Sequence, residues 1–183
     1  MSVAKVMKVT ALTLAGTLLI AISIVYAVGS VLPVAHVAAV RGELPATRER
    51  VWQTITDLPH HPQWRSEVVE VHVRSAPGDS VTWVEVDAWG DSLTLAIVEV
   101  DPPRRLVTRI AEQDAPFAGT WTFELDDDGP GTYIRIVEEG EVYDPIFRFV
   151  AAVFIGHTAA LDTYLSDLRQ HLEEHRRWQE EHR

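Results

Sequence analysis

The chain has 183 residues, 46% of them hydrophobic and 23% charged, with 16 basic against 27 acidic side chains and a formal net charge of −11. Without a cysteine it can form no disulfide framework, thiolate zinc site, iron–sulfur cluster or cysteine nucleophile. The acidic surplus argues against a sequence-independent nucleic-acid binder, which needs clustered Lys and Arg to neutralise phosphate. The charge is unevenly placed. Residues 1–40 hold Lys5 and Lys8 and no carboxylate, whereas residues 41–183 hold fourteen Arg, no Lys and all 27 acids, a net −13.

From Val9 to Val31 there are 23 residues without a charge. As a helix they extend about 34 Å at roughly 1.5 Å per residue, enough for a hydrocarbon core of about 30 Å, and Pro33 is a natural stop. The expectation is a transmembrane anchor over residues 1–33. The basic Lys5 and Lys8 with a small-x-small triplet at Val25-Tyr26-Ala27 keep a cleaved signal peptide open, but its apolar region normally runs only about 7–15 residues. A buried soluble helix is the third alternative. Because Lys5 and Lys8 adjoin the span while Arg41, Arg48 and Arg50 lie further off, the positive-inside rule favours a cytoplasmic N-terminus and a domain outside.

Beyond the anchor, Val37 to Glu43 reads as a strand ending at Leu44-Pro45. Thr47 is an N-cap leading into Val51, Trp52, Ile55 and Leu58 at helical spacing, and Pro59 and Pro62 break that helix before Trp64. Alternating segments follow, each closed by turn residues: Val68 to Arg74, Val81 to Ala88, Leu93 to Val100 and Leu106 to Ala111. A loop with Pro116 and Phe117 then precedes Thr120 to Leu125. Asp126-Asp127-Asp128-Gly129-Pro130-Gly131 is a strong hairpin signal, and Thr132 to Val142 is the last strand. After Pro145 the period changes. Ile146, Val150, Phe154, His157, Leu161, Leu165, Leu168 and Leu172 recur at steps of three or four, predicting one helix of nearly thirty residues with a polar tail over 174–183. Short strands with segregated helices indicate an α+β domain and not a doubly wound one.

This order resembles the helix-grip fold of the START/Bet v1-like (SRPBCC) superfamily, in particular its bacterial polyketide cyclase/dehydrase-like branch, over about residues 35–173. The resemblance rests on Ala46-Thr47-Arg48-Glu49-Arg50-Val51-Trp52, Thr56-Asp57-Leu58-Pro59 and Pro62-Gln63-Trp64. It rests equally on Gly131-Thr132 opening the last strand and on Glu138-Glu139-Gly140-Glu141-Val142 running into Asp144-Pro145. It implies a curved antiparallel sheet of about seven strands wrapped around a long C-terminal helix, with two short helices after the first strand and a hydrophobic cavity between sheet and helix. Members of the superfamily range from lipid carriers to cyclases, and many lack a catalytic assignment.

The residues themselves point the same way, since a long sheet with one long helix must bury the helix stripe against one sheet face. Trp83, Leu95, Trp121, Phe123 and Ile134 on the strands, facing Phe147, Val150, Phe154, His157 and Leu161 on the helix, are the candidate pocket lining. Each of these also suits an ordinary core. His157, on the inward stripe, is the weak catalytic candidate, an imidazole able to act as acid or base on a bound ketone or ring. The simpler role for it is a hydrogen-bonded core histidine. Tyr164, Tyr143, Asp87, Glu85 and Arg109 are unranked candidates for the few polar groups of an apolar pocket. Each strand offers two faces, and Trp83-Val84-Glu85-Val86-Asp87 leaves open which points inward.

Other motifs read plainly. His171-Leu172-Glu173-Glu174-His175 matches H-x-x-E-H, yet a metal site needs a further ligand and only eight residues follow, so a solvated helix tail is expected. His60-His61, in a Pro-flanked turn, is expected in solvent. Asp126-Asp127-Asp128 lacks the further oxygen ligands of a calcium loop. There is no G-x-S-x-G elbow, phosphate-cradling loop or dinucleotide fingerprint. No metal and no cofactor is expected. The expectation is a membrane-anchored binder of a hydrophobic small molecule or lipid, not of nucleic acid, tethered through residues 9–31. An aromatase- or cyclase-like enzyme with a pocket His or carboxylate is the alternative. The −13 domain should stand off an anionic membrane surface.

Overall fold

The computed structural model describes residues 3–75, 81–112, 115–156 and 158–182. The chain divides into two compact units, Met1–Val34 with Val142–Gly156, and Ala35–Glu141 with His157–Arg183.

The second unit is α+β. Its strands are β1 (Ala35–Leu44), β2 (Glu70–Ser75), β3 (Val81–Val86), β4 (Ser92–Asp101), β5 (Arg105–Ile110), β6 (Phe117–Asp128) and β7 (Gly131–Val142, whose last residue belongs to the other unit). They form one sheet in the order β1-β7-β6-β5-β4-β3-β2. β1 pairs antiparallel with β7, from Ala35 opposite Glu141 to Leu44 opposite Thr132. Antiparallel pairing also joins β2 to β3, β3 to β4, β4 to β5 and β5 to β6. β4 carries a bulge: Ile97 lies opposite Thr108 and Glu99 opposite Val107, so Val98 between them has no counterpart on β5. A bulge of this kind bends the strand and raises its twist.

After β1 comes α2 (Arg48–Thr56), capped by the Thr47 side chain accepting from Arg50 N, then a 3₁₀ segment, Leu58–Gln63. The β6–β7 turn, Gly129-Pro130, falls within the reversal signal Asp126–Gly131, whose aspartates extend β6, and Gly129 is at φ +59°. The buried hydroxyl of Thr132 donates to the Ala46 carbonyl at 2.7 Å, pinning the start of β7 to the entry of α2.

α4 (Ala159–Glu181) buries Leu161, Tyr164, Leu165, Leu168 and Leu172, an amphipathic stripe at steps of three and four. That stripe packs with Val51 and Ile55 of α2, Ala38, Val40 and Leu44 of β1, Ile134 and Ile136 of β7, and Phe123 and Leu125 of β6. Asp167, on the flank of that stripe, ties the helix to the segment after the 3₁₀ turn by accepting from Ser66 N and Ser66 Oγ, both at 2.7 Å.

In the first unit, α1 (Val3–Val31) contains an apolar stretch, Thr10–Val31, of mean hydropathy 2.2, with none of its side chains packed away inside the protein. α3 (Pro145–Val150) starts with Pro145 after an Asp144 cap that accepts from Ile146 N and Phe147 N, and it continues as a π-helical turn, Ala151–Ile155. The single helix expected from Ile146 onward is therefore broken. Gly156, at φ +78° and ψ 154°, adopts a backbone that an L side chain resists, and α4 begins only at Ala159.

Candidate functional site

The inward faces of β3 to β6 do not close on α4 as tightly as those of β1 and β7. A cavity of about 280 Å³ remains, near the lower end of ligand pockets, which hold roughly 300–1,000 Å³. Strand alternation supplies its wall. Trp83 and Glu85 come from β3, Leu93, Leu95 and Ile97 from β4, Leu106, Thr108 and Ile110 from β5, and Phe117, Trp121 and Phe123 from β6. Ile55 of α2, Leu58 and His61 of the 3₁₀ segment, Arg65, and Ala160 and Tyr164 of α4 close the other side.

The wall is mostly apolar; Thr56, Thr108, Arg109 and Glu138 also border it, and the polar groups that contact one another form one cluster. Glu85, 9% exposed, accepts from Arg65 Nη1 at 2.5 Å and from Trp83 Nε1 at 3.0 Å, both through Oε1. His61 Nδ1 stands 3.5 Å from the same oxygen, while His61 Nε2 lies 3.2 Å from the Ile55 carbonyl. The two ring nitrogens of His61 thus each face an oxygen acceptor, the carboxylate on one side and the carbonyl on the other. The Arg65 guanidinium also lies over the Tyr164 ring, 5.1 Å from its centroid. That ring meets Trp64, Trp121 and Phe123 at centroid distances of 5.2, 5.7 and 5.3 Å.

These neighbours set the charges. Burial alone would raise the Glu85 carboxyl, but the His61 imidazole, the Arg65 charge and the Trp83 indole N–H outweigh it and hold the group down at about 2. Tyr164 moves the other way: burial pushes its hydroxyl well above the ordinary tyrosine value, and the Glu85 charge adds to this against the opposing pull of Arg65. At neutral pH the cluster thus presents a fixed carboxylate, a guanidinium and a protonated phenol.

Of the residues expected to line a pocket, Trp83, Leu95, Trp121 and Phe123 lie on the cavity wall. Ile134 and Leu161 are fully buried in the core instead, because β7 and the first full turn of α4 close on one another beside the cavity. Phe147 and Val150 belong to α3 in the other unit, where Phe147 is exposed and Val150 half-buried. His157 and the side chain of Phe154 lie outside the described residues. Among the unranked polar candidates, Glu85, Arg109 and Tyr164 border the cavity. Asp87 caps the β3–β4 turn, accepting from Trp89 N and Asp91 N, and Tyr143 is in the other unit.

His61 was missed. His60 is exposed and bonded to Asp57, but His61 is 3% exposed. Leu58, His61 and Trp64 are spaced by three, and in a 3₁₀ segment residues three apart eclipse one another on one ridge. That spacing was the available signal. Arg65 follows directly and carried none. At the H-x-x-E-H motif, His171 lies against Trp64 and His175 contacts Gln179 Nε2. No group of three metal-ligating side chains exists among the described residues.

The family described as polyketide cyclase / dehydrase and lipid transport matches residues 35–173. No curated protein is significantly similar in sequence. Among solved structures, a START superfamily protein from Mycobacterium smegmatis superposes with a TM-score of 0.59 at 19% identity, covering 76% of this chain and 98% of its own. The Zhui aromatase/cyclase from Streptomyces sp. R1128 gives 0.61 at 13% identity, covering 76% and 94%. Norcoclaurine synthase from Thalictrum flavum, in complex with a transition-state analogue, gives 0.62 at 15% identity, covering 80% and 99%. Likeness at these identities extends to the fold.

Proposed function

Because the chain belongs to the polyketide cyclase / dehydrase and lipid transport family, we propose that its helix-grip domain, about residues 35–173, takes up a hydrophobic small molecule or lipid in the cavity between the sheet and α4. The observation that carries this reading is a mostly apolar wall in which Glu85, Arg65, His61 and Tyr164 form a connected polar cluster. Such a wall buries ligand surface at roughly 25 cal/mol per Å² before ordering costs, while the cluster orients one polar end of the ligand. A cavity of about 280 Å³ suits a compact ligand, or part of a longer chain.

Glu85 is a poor general base. A carboxylate held near 2 and clamped by Arg65 and Trp83 gives little driving force for proton abstraction at neutral pH. This favours binding over acid–base catalysis. α1 has the length and hydropathy to cross a bilayer, and we assign residues 1–33 as the anchor, with the N-terminus cytoplasmic by the positive-inside rule and residues 174–183 as a polar helical tail. A membrane-derived ligand fits such a tether. The test is extraction of the full chain from native membranes followed by mass spectrometry of what co-purifies. A stoichiometric apolar molecule bound to the wild type and lost in Thr108→Phe, which fills the cavity, is expected. An empty wild type, or a ligand retained equally by both proteins, refutes the reading.

A further inference from the structure

The segment that breaks the expected long helix has a use of its own. From Ile146 to Ile155 nine of ten residues are apolar, the exception being Arg148. In a water-facing helix such residues would be buried, yet Ile146, Phe147 and Val153 are 42%, 57% and 56% exposed. At three- and four-residue steps Ile146, Val150 and Val153 share one side of the helical segment, with Phe147 at its margin.

The segment packs against the end of α1. Its first carbonyl, that of Pro145, lies so near Gly29 that a β-carbon there would sit 1.8 Å from the oxygen, so the two backbones meet only because residue 29 is glycine. Arg148 Nη1 donates to the Leu32 carbonyl at 3.0 Å, just past the end of α1, and Nη2 donates to the Tyr143 carbonyl at 3.4 Å. Asp144 spends its carboxylate on the backbone N–H groups of Ile146 and Phe147. Both charges near this segment are therefore turned onto backbone partners, leaving its outer side to Ile, Phe and Val.

We propose that residues 145–155 are a second membrane-contacting element, a short helix immersed in the acyl-chain boundary beside the C-terminal end of α1, its apolar side against lipid. This rests on the reading of α1 as a membrane span. Two elements then hold the chain at the bilayer: α1 across it and α3 with its π-helical turn along one boundary. The contact draws on apolar side chains, so the acidic surplus of the remaining chain does not oppose it.

The chain's lack of cysteine makes site-directed spin labelling direct. Single substitutions Ile20→Cys, Phe147→Cys, Val153→Cys and Arg177→Cys in the full chain, reconstituted in phosphatidylcholine/phosphatidylglycerol nanodiscs, are labelled. Collision rates with molecular oxygen and with a water-soluble nickel chelate are then compared. Oxygen should dominate at positions 147 and 153 as it does at 20, and the nickel chelate at 177, on the exposed tail of α4. Nickel dominating at 147 and 153 while oxygen dominates at 20 overturns the proposal and leaves the span intact. Low rates of both reagents at 147 and 153 place them against protein and overturn it too. Nickel dominating at 20 overturns the span, and the proposal with it.

Discussion

Replacing Glu85 by Gln keeps an acceptor for the Trp83 indole but removes the anion facing Arg65 and His61. In the wild type the carboxyl falls from its ordinary 4.5 to about 2 on folding. At roughly 1.4 kcal/mol for each tenfold change, this difference is worth about 3 kcal/mol of stability at neutral pH. The sign follows from proton counting. Between pH 4.5 and 2 the unfolded chain holds a proton on Glu85 that the folded protein lacks, so this contribution is complete above 4.5 and disappears as pH falls through 2. The variant has no such group. Its deficit should therefore be about 3 kcal/mol at pH 7, about 6–12 °C in Tm for a protein of this size, and should close as pH falls from 4.5 to 2.

The assay is thermal unfolding of both full-length proteins in dodecyl maltoside at pH 7, 5, 4, 3 and 2.5, followed by tryptophan fluorescence. Other carboxylates titrate in both proteins, and the difference between them cancels that background. Adding Arg65→Met should rescue part of the loss, because a buried guanidinium without its anion is costly. A deficit that stays constant from pH 5 to 2.5, or a double variant no more stable than Glu85→Gln alone, would refute the electrostatic account of the cluster.

Three further outcomes probe the frame around the cavity. Leu168→Ala, at a fully buried position of the α4 stripe, should cost about 2–5 kcal/mol in urea unfolding; a loss below 1 kcal/mol would mean that α4 does not seat there. Gly156→Ala forces a β-carbon onto a backbone at φ +78°, and a loss of about 1–3 kcal/mol is expected; an unchanged Tm would mean that the chain passes from α3 to α4 differently. Glu124 bridges Arg105 and Arg135 on the half-exposed outer side of the sheet, each at 2.8 Å. Glu124→Gln should change stability by less than about 1 kcal/mol, and by less still in 0.5 M NaCl; a loss of several kcal/mol would make this outer network part of the frame.

Most of the architecture was legible because its signals are local. The cap at Thr47, the prolines at 59 and 62, the glycine–proline reversal at 129–130 and the alternation of each strand depend on neighbours within a few positions. The helix after Pro145 shows where that logic stops. Apolar residues recur at helical steps straight through Gly156, since the exposed apolar side chains of α3 and the core-facing ones of α4 have the same spacing. The cavity cluster was harder still. Glu85 on β3 and Arg65 after the 3₁₀ segment meet across twenty positions, and nothing in a two-residue period tells a carboxylate facing a buried guanidinium from one facing water. For Ile134 and Leu161, pattern gave the inward direction correctly but could not tell where packing ends and empty space begins.

The unmatched Val98 on β4 has a consequence for how this wall can change over generations. Removing one codon elsewhere between Leu93 and Ala96 would turn Leu95 outward and bring a solvent-side residue into the cavity. Removing Val98 would leave Ile97 opposite Thr108 and its successor opposite Val107, as now. The strand can therefore lose length there without reversing its faces.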